Sequence, residues 1–119
     1  MNFMTNPASF AATWIADWNS HDVEKILAHY AQDVIFHSPK VAIRTMAAKT
    51  FFTSRAEIRP YFSFAFEIRP KLQFTLVKIC QDEKGMALIY HDETGATATE
   101  LMDLNEQGQV MFARVLYDR

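Results

Sequence analysis

Apolar positions recur every three to four residues along the first third of the chain and every second residue along its last part. Phe10, Ala11, Trp14, Ile15 and Trp18 share one helical stripe, and Asn6 before Pro7 reads as a cap with Pro at the first helical position. "NSHD" breaks that stripe. A second helix is predicted from the stripe Val23, Ile26, Leu27 and Tyr30, with Asp22 and Glu24 favourable in its first turn and His21 helping to cap it. His29 falls on its solvent side. "AQD" then turns the chain into an apolar strand, Val34, Ile35 and Phe36, which stops on His37, Ser38 and Pro39.

Residues 40–53 have no clear period and read as a loop with room for a short strand. "SRAE" is a capping box, Ser54 with Glu57, before a third helix whose face is Ile58, Tyr61, Phe62, Ala65 and Phe66. Pro60 conflicts with an uninterrupted helix, so either the first turn is kinked or the helix starts later. "EIRP" occurs at 57 and again at 67, a coincidence in which one copy sits near a helix start and the other ends it.

From Lys71 the period is two. "LQFTLVKIC", "MALIYHD", "ATATELMDL" and "QVMFARVLY" read as four strands joined by "QDEKG", "DETG" and "NEQG", each turn carrying Gly at a hairpin position. Such short connections force antiparallel neighbours. The order predicts an α+β fold with helices packed on one face of a curved sheet.

Composition narrows the function. The chain has 119 residues, which predicts one domain spanning 1–119 with roughly two-thirds of its unfolded surface buried. Ten Phe, four Tyr and two Trp exceed what a core this size needs, so some are expected to line a cavity. Net charge is -2 with no basic block, which argues against nucleic-acid binding. The single cysteine, Cys80, excludes an internal disulfide and a cysteine-based zinc site, and reads as a buried small residue. The four histidines lack metal-ligand spacing, so no metal and no cofactor is expected. The N-terminal stretch has no basic region, and Asp17 interrupts its apolar residues. It reads as neither signal peptide nor membrane span, and a cytoplasmic protein is expected.

"WIADWNSHDVEKILAHYAQDVIFHSP", "SRAEIRPYF" and "ELMDLNEQGQVMFARVLYD" together resemble the nuclear transport factor 2-like superfamily, in particular its SnoaL-like branch, over nearly the whole chain. The resemblance implies a cone: a strongly curved, mostly antiparallel, cystatin-like sheet wrapped around three helices, with a deep apolar pocket and common homodimers through the outer sheet face. It does not settle function, because the fold hosts enzymes and non-enzymes. Where ketosteroid isomerases of the superfamily keep an Asp base before the proline ending the first strand, this chain has Ser38, which has no pKa near 7. Trp14 and Glu100 stand at the two oxyanion-donor positions, Tyr30 matches a supporting Tyr, and Phe62 replaces another. The last-strand Asp of the polyketide cyclases aligns with Val115, flanked inward by Ala113 and Tyr117. No confident counterpart of the Asp-Arg-Asp relay of limonene epoxide hydrolases is present.

Glu100 is the sharpest candidate for chemistry. Alternation puts it on one face with Ala98, Met102 and Leu104, where desolvation would raise its pKa towards neutrality. The competing reading is an outward, paired glutamate or a register slip of one residue. Ser38 shares the Phe36 face and reads as pocket rim. His37 falls on the other face or at the strand end and reads as structural, though it too is a candidate catalytic residue. Trp14, Trp18, Tyr30, Phe62, Met102, Val115 and Tyr117 are the expected ligand-binding residues, and Trp14 needs a partner for its indole N–H. Phe112, Arg114 and Leu116 form an outer stripe suited to a dimer. The expected function is binding of a small apolar molecule, with acid–base chemistry of isomerase, cyclase, lyase or hydrolase type through Glu100. The alternative is a non-catalytic binding or dimerisation module.

Overall fold

The computed structural model describes residues 6–118, so the two ends of the expected 1–119 domain lie outside it. Helices α1 (Pro7–Ser20), α2 (Val23–Leu27), α3 (Pro39–Arg44) and α4 (Arg55–Ile68) accompany strands β1 (Tyr30–His37), β2 (Phe51–Phe52), β3 (Thr75–Gln81), β4 (Gly85–His91), β5 (Thr97–Leu104) and β6 (Val110–Tyr117). The strands form one curved, unclosed sheet of order β2-β1-β6-β5-β4-β3. All neighbours are antiparallel except β1 and β6, which run parallel with Phe36 opposite Ala113. The fold is thus α+β, with α1 and α4 packed on the inner face. No helix among the described residues is long and apolar enough to cross a membrane.

The caps explain where the helices start. The Asn6 side chain accepts from Ser9 N at 3.0 Å, and Pro7 opens α1 without wasting a backbone donor. Ser54 accepts from Glu57 N at 3.1 Å, and the Glu57 carboxylate reaches back to Thr53 N at 2.9 Å. That backbone contact, then Lys49 and the Thr53 hydroxyl, hold Glu57 down at about 2. α4 runs unbroken through Pro60, resolving the conflict without a late start.

Several expectations needed correction. Tyr30 does not end the second helix: α2 stops at Leu27, and Tyr30 opens β1. It is fully buried either way, because helical and strand placements both turn it inward. "AQD" is therefore strand rather than turn. Residues 40–53 contain a short helix, begun by Ser38 as cap and Pro39 at its first position, and the two-residue β2. His21 does not cap α2. It closes α1 in the left-handed conformation (φ 62°), and Asp22 caps α2. His29 does not face open solvent: its Nε2 lies 2.6 Å from Asp17 Oδ2, and its ring packs edge-on against Phe10. Cys80 is exposed, not buried. A β-bulge between Leu76 and Lys78 shifts the alternation of β3, so Ile79 turns inward and Cys80 outward.

Candidate functional site

"WNSHD", the break between the first two helices, has a structural task. Asn19 clasps Phe74 through both backbone groups, accepting from its N–H at 2.7 Å and donating to its carbonyl at 2.9 Å. His21 Nε2 donates to the Leu72 carbonyl at 2.7 Å. These bonds fix the segment before β3 against α1, and Leu72 and Phe74 become part of a cavity wall.

The cavity measures about 50 Å³. Its buried interior is aromatic: Trp18, Phe36, Phe62, Phe74 and Tyr90, joined by Ala65, Leu72 and Val115. Trp18 meets Phe62 edge-on at 4.7 Å, and Phe74 meets Tyr90 at 4.4 Å. The mouth is formed by partly exposed side chains, Tyr61, Tyr117, Lys40, Arg44 and Arg69. The pocket is therefore neither as deep nor as uniformly apolar as the family resemblance implies.

Glu100 is the one carboxylate in this wall and is 3% exposed. Its Oε2 accepts from the Tyr30 hydroxyl at 3.1 Å. Its Oε1 has only the Tyr90 hydroxyl, at 3.5 Å, the outer limit of a hydrogen bond. Tyr30 in turn accepts from Trp14 Nε1 at 3.2 Å. Burial pushes the Glu100 carboxyl up to about 7, against the opposing pull of the two tyrosine hydroxyls. Burial, and then the charge of Glu100, push Tyr30 and Tyr90 well above the ordinary tyrosine range, so both remain donors near neutrality. The arrangement holds a carboxyl poised between its two protonation states, with one oxygen well bonded and the other weakly bonded.

The expected ligand-binding residues divide. Trp18, Phe62, Val115 and Tyr117 line the cavity with Glu100. Trp14, Tyr30 and Met102 stand behind the wall, each almost fully buried, and Trp14 and Tyr30 act on the site through the relay to Glu100. Trp18 Nε1 is buried near the Tyr30 hydroxyl yet makes no hydrogen bond to any described group. Ser38 is buried, caps α3 by accepting from Lys40 N at 3.3 Å, and interacts with the hydroxyls of Tyr61 and Tyr117 at the cavity mouth. His37 stacks on Phe51 at 4.9 Å and lines an open groove with Arg114 and Leu116 that adjoins the cavity mouth through Lys40, Val115 and Tyr117, and Glu100 is not part of its wall.

The residues missed from sequence are the cations of the mouth and Tyr61 beside them. A signal for them existed. "SP" at 38–39 has the same form as "NP" at 6–7, and reading it as a helix start puts Lys40 and Arg44 one turn apart. Among the described residues no three His, Cys, Asp or Glu side chains converge as metal ligands would.

Comparison with known proteins agrees with this architecture. A SnoaL-like protein of unknown function from Burkholderia thailandensis superposes with a TM-score of 0.88 at 24% identity, covering 95% of each chain. A nuclear transport factor 2-like protein of unknown function from Cytophaga hutchinsonii gives 0.71 at 14% identity, over 99% of this chain and 95% of that one. SalBIII, an epoxide hydrolase/cyclase-like enzyme in pyran ring formation of the polyether salinomycin, gives 0.74 at 17% identity, over 99% and 95%. At such identities the likeness is one of fold. No curated protein matches the chain at a level that carries an argument. Residues 11–111 match the SnoaL-like domain, and on that match, with the helix order and curved sheet just described, the chain belongs to the SnoaL-like family.

Proposed function

We propose that this chain is an enzyme that moves a proton on a small, largely apolar molecule, with Glu100 as its general acid–base. The observation that carries the reading is the position of Glu100: in the cavity wall, almost fully buried, and at about 7. A carboxyl so placed both accepts and returns a proton at neutral pH, the requirement for isomerisation or cyclisation through proton transfer. Tyr30 and Trp14 hold one carboxylate oxygen in place, leaving Oε1 as the atom that meets substrate. The largely aromatic interior limits the water that can compete for that proton.

A small probe suits a cavity of about 50 Å³. Exchange of the α-protons of butanone in D₂O, followed by NMR, should be accelerated by the protein and should fall to background in Glu100→Gln. Equal exchange by both proteins rejects the role of Glu100. The alternative, a binding module without chemistry, is favoured by the narrowness of the cavity, and butanone binding without accelerated exchange would establish it.

A further inference from the structure

The mouth of the cavity collects three cations, two of which have no ion-pair partner among the described residues. Lys40, Arg44 and Arg69 all line it. Arg69 is neutralised, since its guanidinium bonds Asp92 at 3.1 Å and Glu93 at 2.8 Å. Lys40 and Arg44 make no ion pair among the described residues. Each instead lies across an aromatic face of the same mouth: the Lys40 ammonium is 4.4 Å from the Tyr117 ring centre, and the Arg44 guanidinium is 5.0 Å from that of Tyr61. Burial first, then the like charges of Arg69 and Arg44, make the Lys40 ammonium less basic than usual, against the smaller opposing pull of Asp92 and Glu93. Two cations one helical turn apart repel, and a neutral ligand would not relieve that repulsion. An anion between them would.

We infer that the ligand of this cavity carries an anionic head group, a carboxylate or a phosphate, held at the mouth between Lys40 and Arg44 while its apolar end points inward to Glu100. Charge sets the direction of insertion. The anionic end is drawn to the cations of the mouth and repelled by the buried carboxylate whenever Glu100 is ionised. Arg44 offers the planar fork that fits an oxyanion, and Lys40 adds a point charge beside it. The inference rests on the reading of the cavity as a ligand site and names the class of molecule it takes.

NMR titration of the protein with butyrate, propyl phosphate and butyramide tests it, with the Trp18 indole and Val41 amide signals as reporters. At least one of the two anions should bind about tenfold or more tightly than the neutral amide, and the better of the two identifies the head group. The preference should vanish in Lys40→Gln/Arg44→Gln, whose two side chains are partly exposed, and should persist in Glu100→Gln. Butyramide binding as tightly as both anions overturns the inference. So does a preference that survives the double substitution, or an absence of shifts from all three compounds up to about 20 mM. Anion preference together with butanone exchange insensitive to Glu100→Gln would sink the acid–base reading alone. Exchange that depends on Glu100 without anion preference would sink the head-group inference alone.

Discussion

Glu100 puts a carboxyl where charge is expensive, and its thermodynamics follow from that. Its folded-state pKa of about 7 stands above the ordinary 4.5. Between those values the native state binds the proton that the unfolded state has released, so stability falls as pH rises through the window and is level above it. The shift corresponds to about 3 kcal/mol at most. Glu100→Gln removes this dependence while keeping an acceptor for Tyr30. Urea denaturation at pH 4.5 and pH 8 should show wild type losing roughly that much more stability than the variant, and superimposable pH profiles would defeat the assignment. The inward position of Glu100 was legible because β5 alternates without interruption and pairs in register with β4. Its hydrogen-bond partners were only half legible. Trp14 was expected to meet Glu100 or a ligand, and it meets Tyr30, which no local pattern specifies.

Elements differ in how much of themselves the local sequence declares. α1 and the strands β4 to β6 follow their period and turn residues, whereas α3 is six residues long and has too few turns for a period to show. Only its Ser-Pro start marked it. Ser38→Ala removes that cap and should cost about 1 kcal/mol in chemical denaturation. The glycines of the turns also separate by mechanism. Gly95 has φ 85° with nothing near its missing Cβ, so Gly95→Ala suffers only backbone strain, about 1 kcal/mol. Gly85 opens β4 against β5, and a Cβ there would sit 1.8 Å from the Met102 carbonyl oxygen. Gly85→Ala should cost more, about 2 kcal/mol or above, because two paired strands must move apart. Equal losses at the two sites would show that strand spacing is not what Gly85 serves. The exposure of Cys80 went unforeseen for a related reason: a bulge is a property of two paired strands, and one strand's sequence does not display it.

At the scale of the whole molecule, the inner sheet face is filled by the helices, and the outer face keeps apolar side chains in the open. Ile35, Phe51, Leu101 and Leu116 are all exposed there. A homodimer through this face, burying about 1,600 Å² in total, would cover them. Light scattering at tens of micromolar should give twice the monomer mass, and a monomer would reject the interface. The interior makes the opposite demand on size. With about 50 Å³ available, and with Ser38 and Val115 at the positions where the family resemblance implies an Asp, turnover of an unsaturated ketosteroid should not rise above background in a spectrophotometric assay. The α+β class was legible from the change of period along the chain. The narrowing of the cavity was not, because it arises where Tyr61, Arg44 and Tyr117 meet from three separate elements. The parallel seam between β1 and β6 has a consequence for how the chain acquires its structure. Strands β3 to β6 can zip together through short hairpins, but β1 has only the two-residue β2 as a nearby partner and gains its long partner only when β6 is in place, most of the chain's length away. Closing so long a loop makes this seam a slow step of folding, and a ribosome must finish the last strand before the first one is sheltered.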